Sequence, residues 1–449
     1  MSEVEGSRHP LVEARRKRGW SQEGLAALLQ AQGLGTTRKT VTRWERGVVP
    51  DGAARAAICK LFGVSPEVAD RLGWPHWLPT GRIAAVSDSW DHHGTISALR
   101  EVAKDVLVDR RGFLALTGAE LLLPVYAWRL NPGPWNAYSD SGRRQVSSAL
   151  AEEVERLLPI RRKMDDEHGG GPLLDMLHSD LRFVTDLLAN GTYQADVGRR
   201  LHSVAGEIAR LAGWAAFDSG RHAAAQQYYL AALRAAAAIG DRALGVNVVG
   251  FMGIQAYSMG RTSDAVQLMD VAVAEANAAP AVIQAMAWAR AGRAYAKVGN
   301  SVAARKALDD AFKQLARVAD GDTPSWAYWV DQARLTAQVG RALFDLGDYL
   351  AATRELLTAV HASGDSYPRD RATWLGRIAT AQLRTGHLEE GCASGRKAVD
   401  LLSGRVDSAR GIGFLNAFRQ ELSTYDGAEA AQRFLTYSTY RLGDSSHTQ

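Results

Sequence analysis

Cysteine is nearly absent: Cys59 and Cys392 are the only two in 449 residues and lie far apart. This excludes a disulfide framework, and a reducing compartment is expected. No run of 18 apolar residues occurs, so there is no candidate for a membrane-spanning helix. Long β-branched runs are few, whereas alanine and leucine dominate, a balance that favours an all-α fold. Catalytic signatures are missing as well. There is no G-x-S-x-G, no H-E-x-x-H, no pair of C-x-x-C motifs and no nucleophile with a nearby base pattern. The adjacent His92 and His93 have no further Cys or His at ligand spacing. No enzymatic activity, cofactor or metal is therefore expected.

Strong net charge is also lacking, at +4 overall, but the charge is uneven. Residues 11–60 hold ten Lys and Arg against four Asp and Glu, whereas residues 81–449 hold 41 of each sign. A basic excess confined to one small segment points to a polyanion partner there. The chain is too long for a single core, so two or three domains are expected. "DRRGFLALTG" (109–118) has the look of a twin-arginine export signal. It is internal and Glu120 interrupts its apolar run, so a buried helix start is expected instead.

Residues 10–72 read as short helices separated by turn signals. Pro10 starts one and Gly19 stops it; Ser21 caps "SQEGLAALLQAQG", which ends at Gly33. Leu25, Leu28 and Leu29 give that helix an apolar face. Thr37 and Gly47 bound "TTRKTVTRWERG", and Asp51 and Gly63 bound "DGAARAAICKLFG". The stretch "GLGTTRKT" also has the spacing of a phosphate loop. That motif needs a preceding strand and a glycine just before the lysine; here a helix precedes and Arg38 stands in the glycine's place. As a helix, the segment projects Arg38, Lys39, Thr42, Arg43 and Arg46 from one side and turns Val41 and Trp44 inward. Glu45, the exception in the basic run, is placed to pair with an Arg of the first helix. Trp20 and Trp44 are read as core residues.

Three blocks in order, "ARRKRGWSQEGLA" (14–26), "TVTRWERG" (40–47) and "LFGVSPEVAD" (61–70), resemble the Cro/repressor-like (XRE-type) helix-turn-helix family. Two departures stand out. Gly24 occupies a usually acidic position, which breaks the capping box. The stretch from Leu25 to Trp44 is about five residues longer than usual, which calls for a longer second helix or a longer turn. The resemblance implies binding to double-stranded DNA. Arg38, Lys39 and Thr42 are expected to read bases, and Arg43 and Arg46 to hold phosphates. Gln22 matches the family position that contacts phosphate or orients the reader, and Thr37 is counted with these residues.

"GWPHWLPTG" (73–81) reads as a boundary that packs on the first domain, and residues 82–100 as loosely ordered. "NPGPW" (131–135) and "HGGGPL" (168–173) are further breaks, the second read as a flexible turn. Residues 143–167 carry one amphipathic helix pattern.

From about residue 200 the chain repeats. One glycine column runs Gly213, Gly253, Gly292, Gly340, then Ala379; seven residues on stand Gly220, Gly260, Gly299, Gly347 and Gly386. Small residues follow at Ala225, Ala265, Ala304, Ala352 and Gly391, and alanine at 232, 272, 311, 359 and 398. The first column and the small residues let paired helices approach closely; the second ends the first helix of each pair. The pattern resembles tetratricopeptide repeats, with longer periods of 40, 39, 48 and 39; "GDTPSWAYW" (321–329) fills the longest, and residues 414–440 read as a degenerate capping repeat. Trp288, Trp326, Trp329 and Trp374 are candidates for a groove lining, with core packing the favoured role of each.

The expected architecture is all-α: a helix-turn-helix domain at 8–72, a linker with connecting helices at 73–140, and an α-solenoid at 141–440, clearest over 207–403. This combination resembles a family of actinobacterial transcriptional regulators, and the Ala/Arg/Gly-rich composition fits a high-GC genome. The resemblance implies a cytoplasmic, nucleoid-associated, homodimeric regulator of DNA, whose array dimerises or holds a peptide, small-molecule or protein ligand. The alternative is an interaction scaffold whose first domain does not bind DNA.

Overall fold

The computed structural model describes residues 9–62, 74–75, 78, 90–105, 116, 118–130, 139, 142, 144–171, 173–319, 321–404 and 406–442. Most of the twin-arginine-like stretch, most of the third helix-turn-helix block and the NPGPW break lie outside these residues.

Among the described residues four short helices form the N-terminal unit: α1 (Pro10–Lys17), α2 (Gln22–Gln30), α3 (Arg38–Glu45) and α4 (Gly52–Phe62). Each begins at a side chain that satisfies an orphan N–H. Ser21 Oγ accepts from Gly24 N at 3.0 Å and Asp51 Oδ1 from Ala54 N at 2.8 Å. Their apolar faces meet in one core of Leu11, Leu25, Leu29, Val41, Trp44, Ile58 and Phe62, and Leu78 from the proline-rich segment joins it. Trp20 and Trp74 pack against it, so Trp20 and Trp44 both serve the core.

Next come α5 (His92–Asp105) and α6 (Gly118–Arg129). The loosely ordered reading of 82–100 is thus corrected from His92 onward: Asp91 Oδ1 accepts from Gly94 N at 2.8 Å and starts α5, whose Ala98, Leu99 and Val102 are buried. The single helix expected over 143–167 is two, α7 (Ser148–Glu155) and α8 (Leu157–His168), following a two-residue strand β1 (Arg144–Gln145). Pro159 explains the break, since its ring removes an N–H and crowds the preceding turn. Then α9 (Leu173–Asn190) leads through β2 (Gly191–Thr192), which pairs in parallel with β1, into the array.

The array is six helical pairs: α10 (Ala195–Asp218) with α11 (His222–Ile239), α12 (Arg242–Ser258) with α13 (Thr262–Ala276), and α14 (Ala281–Lys297) with α15 (Ser301–Leu315). The remaining pairs are α16 (Gln332–Asp345) with α17 (Tyr349–Ala362), α18 (Pro368–Arg384) with α19 (Leu388–Gly404), and α20 (Ala409–Leu422) with α21 (Glu429–Leu442). The glycine columns fall where the repeat requires. Gly220, Gly260, Gly299, Gly347 and Gly386 all have φ between +74° and +85° and turn the chain from the first helix of a pair to the second. At the first column the helices touch: a Cβ on Gly292 would lie 2.7 Å from Leu308 Cγ. The alanines at 225, 265, 304, 352, 232, 272, 311, 359 and 398 are fully buried. These stacked hairpins make the tetratricopeptide-like solenoid the sequence implied.

The array is not an open trough. Helix α8 lies against α10 and α18. Arg162 pairs with Glu207 of α10, and Asp165 with Arg369 of α18 at 2.5 Å. The triglycine is a tight seam rather than a flexible turn. Gly169 pairs with Asp407, and a Cβ on Gly170 would fall 2.7 Å from the Ala215 backbone. No helix among the described residues is long and apolar enough to cross a membrane.

Candidate nucleic-acid interface

Between α2 and α3 the chain makes a seven-residue turn, residues 31–37, which absorbs the extra length. Gly33 takes φ +86°, Leu34 N bonds back to Leu29 O at 3.2 Å, and Gln30 Nε2 donates to Thr36 O at 2.6 Å. The turn is therefore held, and α3 has a fixed start. Thr37 caps it: its Oγ1 accepts from Thr40 N at 3.3 Å, and Thr40 Oγ1 accepts from Thr37 N at 3.4 Å, a reciprocal capping box.

Helix α3 has two clearly different sides. Val41 and Trp44 are buried, as their spacing demanded. Thr37, Arg38, Lys39, Arg43 and Arg46 are exposed and Thr42 half-buried. Lys39, Arg43 and Arg46 have no ion-pair partner among the described residues. Arg38 pairs with Glu23 at 3.0 Å, an exposed pair that a phosphate or base edge can displace.

Glu45 performs the pairing its position suggested. It binds Arg15 of α1, with both side chains over nine-tenths buried, and accepts from Gln22 Nε2 at 2.5 Å. Gln22 Oε1 in turn accepts from Thr42 Oγ1 at 3.3 Å and Arg38 Nε at 3.4 Å. A chain of bonds thus runs from α1 through Glu45 and Gln22 to Thr42 and Arg38.

A second site was not visible as one in the sequence. The first helices of the pairs face inward, and with α8 and the 321–329 segment they line a partly open cavity of about 110 Å³. Seven arginines line it (162, 210, 290, 334, 341, 369 and 410) against Asp165, Asp166 and Asp370. Trp326, Trp329 and Trp374 line it too, while Trp288 packs against the core. Burial lifts the Asp166 carboxyl to about 6 despite the bond it accepts from Tyr328. The signal for this site was arginine beside the first glycine column, such as Arg290 two residues before Gly292 and Arg341 one after Gly340. His92 packs on buried His202, ring centroids 5.3 Å apart, and no group of three or more His, Cys, Asp or Glu among the described residues is placed to bind an ion.

The Helix-turn-helix family model matches residues 11–68. The chain thus carries a helix-turn-helix domain there, joined to a tetratricopeptide-like array. No curated protein matches the sequence. Among solved structures the chain is similar to one in the crystal structure of the APC/C hetero-tetramer Cut9–Hcn1, at 14% identity and a TM-score of 0.35. That match covers 82% of this chain and 62% of the other, so this chain spans under two thirds of its length.

Proposed function

We propose that the protein is a sequence-specific DNA-binding transcriptional regulator, acting as a homodimer, whose helical-repeat domain senses a ligand. Its working units are residues 8–72, which bind DNA, a connecting region at 73–140, and the array at 141–440. The observation that carries this reading is α3 itself, which presents Arg38, Lys39, Arg43 and Arg46 outward from a helix pinned by Val41 and Trp44. A helix of this kind fits the major groove, where Arg reads guanine O6 and N7 in a bidentate way. Arg38, Lys39 and Thr42, nearest the helix start, face base edges. Arg43, Arg46 and Thr37 hold phosphates, and Gln22 orients the readers.

The test is retention of sheared genomic DNA by the full-length protein, followed by affinity measurements on the enriched site. Two half-sites about 34 Å apart, one helical turn, are expected for a dimer. Arg38→Ala with Lys39→Ala should lower the ratio of specific to random-DNA affinity by at least tenfold, about 1–3 kcal/mol per reader. Arg43→Ala should weaken both equally and flatten the salt dependence by about one phosphate. An unchanged ratio in the double variant removes these two residues from base reading. Affinity that ignores salt removes DNA as the partner and leaves an interaction scaffold.

A further inference from the structure

The cavity inside the array contains more positive charge than its neighbours neutralise. Arg162 is paired with Glu207, Arg369 with Asp165, Arg410 with Asp218 and Arg334 with Asp331. Arg210, Arg290 and Arg341 have no carboxylate partner among the described residues. Arg210 is 5% exposed and Arg290 3%. Arg290 donates to the Asn247 backbone oxygen and Oδ1, both at 3.0 Å, and these are neutral acceptors. The Nε–H groups of Arg210 and Arg341 are buried with no acceptor at all. Burying an unpaired guanidinium costs several kcal/mol, and arginine does not escape by losing its proton. Burial, with repulsion from Arg210 and Arg341 adding to it, brings Arg290 down to about 9. Three such groups around one cavity, Arg210 and Arg290 buried and Arg341 half-buried, are a standing cost that an anion would remove.

The aromatic walls narrow the choice further. Arg290 lies over Phe251 at 4.3 Å, Arg410 over Trp214 at 4.6 Å, and Arg334 over Tyr367 at 3.4 Å. Each ring backs a guanidinium plane; Arg410 and Arg334 turn N–H edges to Asp218 and Asp331, and Arg290, which has no carboxylate, is the one of the three left to a ligand. The space is small: 110 Å³ holds on the order of eight waters, which suits a compact molecule of about ten non-hydrogen atoms. A peptide lying along the inner face is excluded by α8, already seated there through Arg162, Asp165 and Asp166.

We propose that this cavity binds a compact organic dianion, a small phosphate ester or dicarboxylate, gripped by Arg210, Arg290 and Arg341. The site gives chemical identity to the ligand that the array is read as sensing, and it rests on that part of the functional reading only.

Calorimetric titration of the full-length protein without DNA tests it, using phenyl phosphate, phthalate, benzoate, benzyl alcohol and inorganic phosphate. Phenyl phosphate or phthalate should bind at least tenfold more tightly than benzoate, and benzyl alcohol not at all. The dianion that wins distinguishes ester from dicarboxylate. Arg341→Met should weaken that binding at least tenfold while the unliganded variant melts no lower than the parent, because it sheds a half-buried charge with no carboxylate partner. Arg210→Met is the second variant, with the same expectation. Equal binding of benzyl alcohol, response to inorganic phosphate alone, binding of no probe, or unchanged affinity in both variants each overturns the proposal. Because no DNA is present, these failures leave the DNA-binding reading standing. A bound dianion without effect on operator affinity would instead remove sensing while keeping the site.

Discussion

At the scale of single residues, what the sequence disclosed and what it hid divide by whether a neighbour in the chain settles the environment. Glu45 was legible because it stands alone in a basic run, next to an inward-facing Trp44, with arginines one helix away; the pairing with Arg15 follows. Arg210, Arg290 and Arg341 were not, because an arginine on a helix defaults to solvent. Only the curvature of the array decides that these point into a cavity. Asp166 is hidden for the same reason and has a testable consequence. Its carboxyl sits at about 6, above its ordinary value of 3.8, because burial penalises the charged form. The folded state therefore holds a proton that the unfolded chain releases. The stabilisation this gives is complete below about pH 4 and is lost as pH rises through about 6. Asp166→Asn keeps an acceptor for Tyr328 and does not titrate. It should match the parent's melting temperature near pH 4 and exceed it near pH 7.5, by at most about 3 kcal/mol of stability. Parallel thermal melts across that range check it; a constant gap would show that Asp166 titrates normally.

At the scale of elements, caps and periodic glycines did most of the specifying. The turn residues Ser21, Thr37, Gly33 and Gly47 bound their helices where expected, and the two glycine columns separate into different physical jobs. Gly292 is a packing glycine: any Cβ there lies 2.7 Å from Leu308 Cγ and 3.2 Å from the Ala304 carbonyl oxygen. Gly299 is a conformational one, at φ +74° with open space around it. Gly292→Ala should cost about 1–3 kcal/mol through overpacking. Gly299→Ala should cost about 1 kcal/mol through backbone strain alone. The two are told apart by Leu308→Ala in each background: the smaller partner should rescue part of the loss at 292 and none at 299. Equal behaviour in the double variants would mean that the columns do not differ. The interruption between α7 and α8 shows the limit of periodicity, since an amphipathic pattern continues through Pro159 although the hydrogen-bonding chain does not.

At the scale of the whole molecule, repeats were readable but their closure was not. Periodicity describes a pair and its neighbour; it is silent on contacts between Asp165 and Arg369, 204 residues apart. Those contacts narrow a trough into a partly covered cavity, and the triglycine makes them possible. Side chains at 169–171 would hold α8 away from the array: a Cβ at Gly169 would meet the Asp407 carbonyl oxygen at 2.3 Å, and one at Gly170 the Ala215 backbone at 2.7 Å. The second clash is with helix backbone, which cannot swing aside. Gly170→Ala should therefore loosen the seam as a unit. The Asp407 N–H, bonded to His168 O at 2.9 Å, and the amides of α8 should exchange with solvent at least tenfold faster, while those in the core of α12 and α13 keep their rates. Gly427→Ala, with nothing within 4 Å of the added carbon, is the control and should leave both regions unchanged. Hydrogen exchange read by mass spectrometry separates the outcomes. Acceleration confined to α8 and residues 406–408 would show that the lid of the cavity is a separately opening element. Acceleration spread through the array would show that lid and solenoid unfold together, and entry to the cavity would then have to pass the exposed ring of Tyr328.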